Sequence, residues 1–374
     1  MRMLVVGGSA IGLNPHAHVV AEVAIAGVPV HFAVLERPDR EFDPDAPENH
    51  GMVLVRTRAF SLNFRDKALI LGWARRMRPT QYFAIGSELA AEVVACGAGV
   101  TRVAVGDRVI LNCEYPQRNG EHRPKPGLPT NQASVELAVF PEHKLLPIPP
   151  TMSDAEGAAF TIGAQTAYSM VRRIAPVPGE TVAVTAARSN TSLFALLALR
   201  ERGARICALT TSARDHDRLR ALGADEVIRV DPSLDRFADD PNVLRAAKAG
   251  NGFDGVVDPF LDIHLTRLVD LLAFGARYTS CGIYHQYTAL TGRDVQRSGL
   301  SSSKVVVALM MRNVNLVANC LGEEADLRRA LADHAEGRLQ VPIDSVHAED
   351  GMAAFLERSY NDPDRFGKVI LRYS

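Results

Sequence analysis

The alternation of apolar runs and helical segments beyond residue 152 constrains the fold more than any other feature of the chain. Four apolar runs in this region predict buried strands, at residues 181–186, 203–209, 226–230 and 253–258. Segments that predict helices lie between or after them, at residues 191–202, 215–223 and 264–274. Because parallel strands need a long crossover connection that is usually a helix, this rhythm predicts a doubly wound parallel sheet.

The first 150 residues differ, because short extended runs replace the strand–helix alternation. Runs at residues 51–58, 88–94, 105–110 and 135–140 predict strands, and the Pro- and Gly-rich stretch 112–132 predicts a loop. Residues 6–12 are similar to a nucleotide-binding loop. We interpret this similarity as fortuitous, because the stretch 38–49 interrupts the βαβ unit that such a loop needs. The predicted fold class is therefore α/β, with a β-rich domain preceding the doubly wound one.

The composition is that of an ordinary globular protein. Hydrophobic residues make up 47% of the 374 residues, and 42 basic and 43 acidic side chains give a formal net charge of −1. This balance gives no electrostatic footprint for nucleic acid, and no apolar stretch reaches the roughly 18 residues that span a bilayer. The five cysteines contain no C-x-x-C pair, which argues against a disulfide framework. We expect a cytoplasmic protein that binds neither nucleic acid nor membranes.

A strand, a turn and a helix follow one another at residues 181–202, which is the layout of a dinucleotide-binding unit. The usual G-x-G-x-x-G or A-x-x-G-x-x-G spacing falls here on Ala186, Ser189 and Ser192, so the turn lacks glycine. Polar and cationic residues of the turn could donate hydrogen bonds to a phosphate. These cofactor candidates are Arg188, Ser189, Asn190, Thr191 and Ser192. The open alternative is a well-capped helix in a sheet that no longer binds a cofactor.

The end of the second strand of this region indicates which dinucleotide is bound. NAD sites usually place an acidic residue there to bind the ribose hydroxyls. Here Thr211, Ser212 and Arg214 occupy that region, and Arg218 follows. These side chains suit a 2′-phosphate, so the sequence predicts NADPH as the cofactor. The alternative is an exposed basic start of a helix.

Seven short segments, in this order, resemble the quinone oxidoreductase/enoyl reductase-like branch of the medium-chain dehydrogenase/reductase superfamily. They are SLNFRDK at 61–67, IGSE at 85–88, GAGVT at 97–101, VGDRV at 105–109, GAQTA at 163–167, LGAD at 222–225 and FGKV at 366–369. The resemblance implies a GroES-like substrate domain over residues 1–152 and a Rossmann NADP-binding domain over residues 153–319. It also implies that residues 320–374 return to the substrate domain.

Zinc-dependent members of this superfamily bind the metal through a cysteine, a histidine–glutamate step and a second cysteine or acid. The matching positions here carry Asn63, Ser87 and Ala164, so the resemblance implies a site without the usual zinc. His16 and His18 are more typical of a solvated pair than of metal ligands. Without a Lewis acid to generate an alkoxide, the remaining chemistry is hydride delivery to an activated acceptor. That acceptor is a C=C conjugated to a carbonyl, or a quinone.

The resemblance also implies the catalytic candidates. It places Asn63 and Asp66 beside the nicotinamide, where Asn63 would hydrogen-bond the substrate carbonyl or the cofactor and Asp66 would orient a neighbour. Lys67 is a candidate donor of a hydrogen bond or proton to an enolate. The alternative for Asn63, Asp66 and Lys67 alike is a capped, salt-bridged start of a helix. The stretch 68–74 lacks the tyrosine of related reductases, and Tyr82 is the nearest one. Solvent is the alternative proton source.

By the same resemblance, Thr166 and Cys281 line the nicotinamide pocket and Lys368 reaches the cofactor phosphates. The predicted function is an NADPH-dependent reductase of a small unsaturated molecule. One alternative is a tailoring reductase of a peptide- or carrier-bound substrate, such as dehydroalanine reduced to D-alanine in a ribosomal peptide, with the 112–132 loop as a contact. Another is a non-catalytic binding protein that keeps the fold. A homodimer is expected from the habit of the family.

Overall fold

The computed structural model describes residues 1–114, 130–286 and 301–373. The strands over these residues are β1 (Arg2–Gly7), β2 (Ala17–Ile25), β3 (Val28–Glu36), β4 (Met52–Ser61), β5 (Tyr82–Ala84), β6 (Glu88–Cys96), β7 (Arg108–Leu111), β8 (Leu137–Pro141), β9 (Leu145–Pro147), β10 (Thr181–Val184), β11 (Arg205–Thr210), β12 (Glu226–Arg229), β13 (Phe253–Asp258), β14 (Leu272–Ser280), β15 (Asn315–Ala318), β16 (Ile343–His347) and β17 (Lys368–Arg372). The α-helices are α1 (Phe64–Ala74), α2 (Asp154–Ala158), α3 (Thr161–Ile174), α4 (Asn190–Leu199), α5 (His216–Ala221), α6 (Pro241–Lys248), α7 (Leu261–Leu268), α8 (Ser302–Met311), α9 (Glu324–Ala335) and α10 (Met352–Tyr360).

The chain divides into two compact units. Met1–Ile162 and Leu331–Ser374 form the first unit, and Gly163–Ala330 form the second. The sequence predicted domain boundaries after residues 152 and 319. In the structure, the boundaries between the two compact units lie after residues 162 and 330. Both changes fall inside helices, α3 and α9, which a boundary argued from loop composition cannot locate.

Two sheets form the first unit. Strands β2-β3-β1-β5 make a four-stranded antiparallel sheet, in which exposed residues of β2 alternate with partly or fully buried ones because the strand presents one face to the interior. The larger sheet has the order β16-β17-β4-β6-β7-β9, with β8 also paired with β4. The segment after residue 331 therefore supplies two strands of the larger sheet.

The register of the larger sheet brings distant parts of the sequence together. Ile370 of β17 lies opposite Ser61 of β4, and Ser61 lies opposite Glu88 of β6. Lys368, at the start of β17, is therefore placed near the ends of two strands that lie some 300 residues earlier in the sequence. This strand register brings together the residues of a polar cluster in the first unit.

Residues 6–12 have a structural role rather than that of a nucleotide loop. Strand β1 pairs antiparallel with β3 and β5, and a 3₁₀ turn, Ile11–Leu13, follows it in place of an α-helix. The glycine at position 8 is required by packing, because a Cβ there would lie 2.1 Å from the carbonyl oxygen of Arg78.

The second unit contains the predicted parallel sheet, with the order β12-β11-β10-β13-β14-β15. The order reverses between β10 and β13, which is the switch point where folds of this kind bind dinucleotides. The predicted helix over 264–274 was wrong at its C-terminal end, because α7 stops at Leu268 and β14 begins at Leu272. The apolar residues 271–273 fit either state, and pairing with β13 decides for the strand.

None of the helices in the described parts of the chain is both long and apolar enough to cross a bilayer.

Candidate functional site

The turn after β10 has a defined conformation although it lacks glycine. Ala186 adopts the left-handed region at φ 43°, which glycine adopts at lower cost. The amide of Ala187 donates to the Leu209 carbonyl oxygen at 3.0 Å, and the amide of Ser189 donates to the Ala186 carbonyl oxygen at 2.7 Å. Backbone hydrogen bonds therefore hold a turn whose first alanine is in an unfavourable conformation.

Helix α4 begins directly after this turn. Ser189 caps it, because its Oγ accepts a hydrogen bond from the amide of Ser192 at 3.3 Å. The first N–H groups of a helix have no intrahelical acceptor and attract anions. The predicted residues Ser189, Asn190, Thr191 and Ser192 are therefore brought together at a helix N-terminus that can receive a phosphate.

Buried polar atoms in the second unit have unused hydrogen-bonding capacity. Oγ1 of Thr166 and both amide atoms of Asn190 are buried without a hydrogen-bond partner among the described residues. Gly163 leaves room for this amide, because a Cβ there would lie 2.4 Å from Nδ2 of Asn190. Buried polar groups in proteins are nearly always satisfied, so these atoms fit a polar ligand such as a dinucleotide.

An acidic residue that the sequence analysis did not count lies in the segment between β11 and α5. Asp215 precedes α5 in the left-handed conformation, at φ 64°. Its Oδ2 lies 3.0 Å from a guanidinium nitrogen of Arg188, and its Oδ1 lies 3.2 Å from one of Arg218. Two arginines proposed for phosphate binding therefore share one carboxylate, which partly offsets their positive charge.

The other candidates at this strand end lie in a compact polar turn. The Ser212 amide donates to Oγ1 of Thr210 at 3.2 Å, and the Arg214 amide donates to Oγ of Ser212 at 3.0 Å. Thr211 and Arg214 are exposed. The turn therefore presents a hydroxyl and a guanidinium to solvent directly after the strand.

A buried ion pair is the centre of the polar cluster in the first unit. Nζ of Lys368 lies 2.6 Å from Oε1 of Glu88, and both residues are almost completely buried. The other Glu88 oxygen, Oε2, accepts from the backbone amide of Ile162 at 2.9 Å. Ser61 Oγ lies 2.7 Å from Oε1 of Glu88, so the carboxylate has partners on both oxygens.

The structure assigns Asn63 and Lys368 partners other than those expected. The Asn63 amide nitrogen donates to Ser87 Oγ at 3.0 Å and to Glu88 Oε1 at 3.1 Å, and its Oδ1 accepts from Lys368. Both N–H bonds of the side chain are thus used inside the protein, and it cannot donate to a substrate carbonyl without breaking one of them. Lys368 was expected to contact the cofactor phosphates. Its ammonium group instead forms an ion pair with Glu88 and a hydrogen bond with Asn63.

Asp66 is bonded to Asn63, Ser87 and Arg65. Its Oδ2 accepts from the Asn63 backbone amide at 2.8 Å and from Ser87 Oγ at 2.7 Å, and Arg65 lies 2.9 Å from Oδ1. Burial raises the pKa of the Asp66 carboxyl, and the charge of Arg65 acts in the opposite direction. The residue completes a capping box at the start of α1 and holds Asn63 in place.

Lys67, one residue further along α1, has a different environment. It is half-buried, and Nζ lies 5.7 Å from the centre of the Phe64 ring. Desolvation by burial lowers the pKa of its ammonium group. A lysine with a lowered pKa is a better proton donor near neutral pH than an exposed one.

The remaining candidates are dispersed. Tyr82 lies in β5 and packs against the small apolar cluster of Val5, Ile11, Ala33 and Leu35. Cys281 directly follows β14 in the second unit, and the residue as a whole is partly buried. Burial nevertheless raises the pKa of its thiol to about 12, so it is a neutral group.

No group of three or more His, Cys, Asp or Glu side chains in the described ranges is arranged to hold a metal ion. The expected ligand positions carry Asn63 and Ser87, and an ammonium group lies against the amide of Asn63. His16 and His18 belong to no such group in the part of the chain that the structure describes. Residues 115–129 of the predicted 112–132 loop lie outside the described residues.

Residues 49–150 match the alcohol dehydrogenase GroES-like domain family. The chain is 32% identical over 239 residues to mycoketide-CoA synthase of Mycobacterium tuberculosis, a match that covers 64% of this chain and only 5% of the synthase. It is 24% identical over 347 residues to acryloyl-coenzyme A reductase of Metallosphaera sedula, which covers 89% of this chain and 95% of that protein. A thermostable alcohol dehydrogenase from Pyrobaculum aerophilum has a TM-score of 0.72 and 25% identity, with both chains fully covered.

Residues 49–150 therefore match a GroES-like domain, and the GroES-like domain with the parallel sheet and its switch point gives the chain a fold similar to that of medium-chain dehydrogenases/reductases.

Proposed function

We propose that the protein is an NADPH-dependent, zinc-independent reductase of carbon–carbon double bonds that are conjugated to a carbonyl, or of quinones. The observation that carries the proposal is the Lys368 ammonium beside Asn63 and Glu88, at positions where zinc enzymes of the superfamily place metal ligands. A buried cation there repels a metal ion, and an asparagine offers only a weak ligand. Alkoxide formation on a metal is therefore disfavoured, whereas reduction of an already polarised acceptor needs no metal.

The residues of the second unit fit a dinucleotide. The N-terminus of α4 provides donors for the pyrophosphate, and the unpartnered polar atoms of Thr166 and Asn190 suit the carboxamide or ribose of the cofactor. When it is bound, NADPH supplies the hydride from its nicotinamide. Thr211, Ser212 and Arg214 favour the 2′-phosphate, because a guanidinium binds phosphate in a bidentate geometry.

The first unit supplies the polar groups for the acceptor. Reduction of the double bond leaves negative charge on the conjugated carbonyl oxygen, and Lys67 is the side chain suited to stabilise that charge. Its lowered pKa also allows it to donate the proton that completes the reduction. Asn63 and Asp66 act as positioning residues, since their polar atoms are bonded within the cluster.

The substrate class that we favour is an α,β-unsaturated acyl thioester. The support is the similarity to acryloyl-coenzyme A reductase over 95% of that protein, together with the match to a polyketide synthase. A thioester carbonyl polarises its double bond and so meets the requirement of a metal-independent site. Reduction of dehydroalanine in a peptide is the second candidate, and it requires the same polarised double bond.

A homodimer is also proposed, formed through the edge of the parallel sheet. Strand β15 is the last strand on that side, and Leu316 on this strand is 47% exposed. Met310 in α8, the helix that precedes β15, is 70% exposed. Light scattering of the wild type and of Leu316→Lys tests the proposal, since a charge on the edge should yield monomers.

The function is tested by following NADPH oxidation with crotonyl-CoA, a simple quinone and a dehydroalanine-containing peptide as acceptors. Oxidation with the thioester supports the proposed substrate class, and oxidation with the peptide alone supports the second candidate. If NADPH neither binds nor shifts the melting temperature, the proposal is wrong and the alternative of a non-catalytic binding protein is favoured. Activity that appears only after zinc is added would contradict zinc independence.

A further inference from the structure

The buried carboxylate of Asp258, at the end of β13, binds four hydrogen-bond donors. Its Oδ1 lies 2.6 Å from Thr185 Oγ1 and 2.7 Å from Nδ1 of His264, and it accepts from the Phe260 amide at 2.9 Å. Its Oδ2 accepts from the hydroxyl of Tyr278 at 2.6 Å. Burial raises the pKa of Asp258, but the charge of His264 and the donated hydrogen bonds outweigh it, so the pKa lies below its usual value.

Thr185 connects this carboxylate to the glycine-free turn. Its side chain donates to Asp258, its amide donates to the Val257 carbonyl oxygen at 3.1 Å, and its carbonyl oxygen accepts from Ser192 Oγ at 2.7 Å. Every polar group of Thr185 is thus bonded, and the carbonyl group of the peptide that leads into Ala186 is held by the Ser192 hydroxyl. The left-handed conformation of Ala186 begins from this fixed peptide.

Ser192 occupies the third glycine position of the usual pattern. In that pattern, the glycine allows the helix to pack closely against the strand. Ser192 is completely buried here, and its hydroxyl bonds the strand end instead of leaving space. Ser189 Oγ lies 3.0 Å from Ser192 Oγ, so the helix cap is part of the same chain of contacts.

We propose that the hydrogen-bonded chain from Asp258 through Thr185 to Ser192 replaces the missing glycines and positions the turn for the cofactor phosphates. Asp258 is the anchor, because His264 and Tyr278 hold it from two other elements, α7 and β14. Thr185 and Ser192 transmit that position to the first turn of α4. All three are positioning residues. The inference rests on the proposed NADPH site, since it names the residues that shape this site.

The first test uses the full chain without cofactor. Thr185→Val removes one hydroxyl with little change of shape, and Ser192→Ala removes the contact between helix and strand. Hydrogen–deuterium exchange of peptides covering residues 185–192 should be faster in both variants. The matched control is Asp240→Ala, which removes the N-cap of α6 in the same unit without touching the turn. Exchange at 185–192 that is unchanged in Thr185→Val and Ser192→Ala, or equally faster in the control, would overturn the inference.

The second test measures the dissociation constant of NADPH by fluorescence titration. Each of the two variants should bind about tenfold more weakly, as expected for one well-placed hydrogen bond, and the control should bind like the wild type. The double variant should lose less than the product of the two single losses, because both interrupt the same chain. Faster exchange with unchanged affinity would show that the turn is not positioned for the cofactor. Absence of binding by the wild type would instead refute the proposed function, and the exchange result would still decide whether the network holds the turn.

Discussion

Replacing Lys368 by methionine should destabilise the first unit strongly. Methionine keeps an unbranched side chain of similar length, so little packing is lost and the ammonium group is what disappears. The variant leaves the Glu88 carboxylate fully buried, and its remaining donors among the described residues are Ser61, Asn63 and the Ile162 amide. Removing one partner of a buried ion pair typically costs about 3–5 kcal/mol, because the other charge remains uncompensated. For a domain of this size, each kcal/mol shifts the melting temperature by about 2–4 °C, so the predicted loss is roughly 6–20 °C.

The single tryptophan makes the measurement specific. Trp73 is the only tryptophan of the chain, and it lies in α1 of the first unit with its ring 5.1 Å from that of Phe83. Its fluorescence during urea or thermal unfolding therefore reports the first unit without a tryptophan signal from the second. The free energy of unfolding of wild type and variant can then be compared from the midpoint and slope of the urea transition.

Two further variants separate charge from packing. Lys144→Met removes a partly buried lysine of the same unit whose Nζ donates to a backbone carbonyl oxygen, that of Glu114. It should cost about 1 kcal/mol, the usual contribution of one hydrogen bond. The double variant Lys368→Met/Glu88→Gln should recover most of the loss, because it removes the unpaired charge. A loss for Lys368→Met no larger than that for Lys144→Met would refute the reasoning, as would a double variant less stable than Lys368→Met.

Four further outcomes are expected. Arg214→Ala should weaken NADPH binding by about 10- to 100-fold and leave NADH binding unchanged in fluorescence titrations, because a charge-assisted hydrogen bond to the 2′-phosphate is lost; equal losses for both cofactors would contradict its role. Asp215→Asn should tighten NADPH relative to NADH in the same titrations, since two arginines lose their shared carboxylate; an unchanged ratio would count against the assignment. Lys67→Gln should lower kcat by about 100-fold and leave the NADPH dissociation constant unaltered. The kcat of the wild type should fall as the pH rises, with a midpoint below the usual lysine pKa, because a deprotonated amine donates no proton. A variant that keeps the wild-type pH profile would exclude Lys67 as the proton donor. Iodoacetamide at mildly alkaline pH should label the exposed Cys320 but not Cys281, as detected by peptide mass spectrometry, because a thiol of pKa about 12 stays protonated. Rapid labelling of Cys281 would show that its thiol is not desolvated.

The chemistry of the first unit was only partly predictable. A capped helix start was the alternative interpretation of segment 61–67, and the structure has a capping box of Asn63 and Asp66 there. The same segment could not show that both N–H bonds of Asn63 are used internally, because their acceptors belong to Ser87 and Glu88 on another strand. Their use depends on the strand register, which has no local signal in the sequence.

The cofactor site shows the same division. The strand, turn and helix at 181–202 were predicted from apolar periodicity and from serines that favour helix caps, both of which are local properties. Asp215 was overlooked because it lies beyond the strand end, and only the fold places it between Arg188 and Arg218. Such a residue is recognised from interatomic distances in the folded structure and not from its spacing in the sequence.

The sequence by itself determined the two kinds of architecture, the position of the dinucleotide-type turn and the residue types at the usual metal positions. Each of these follows from neighbours within about ten residues, where periodicity and capping preferences act. Only the tertiary structure decided the partners of Lys368, which comes next to Glu88 through the pairing of β17 with β4 and of β4 with β6. It also decided the four donors around Asp258, which come from three separate elements and its own backbone turn. The physical reason is that buried charges must find partners, and the folded chain selects those partners by proximity in space, whatever their separation in sequence.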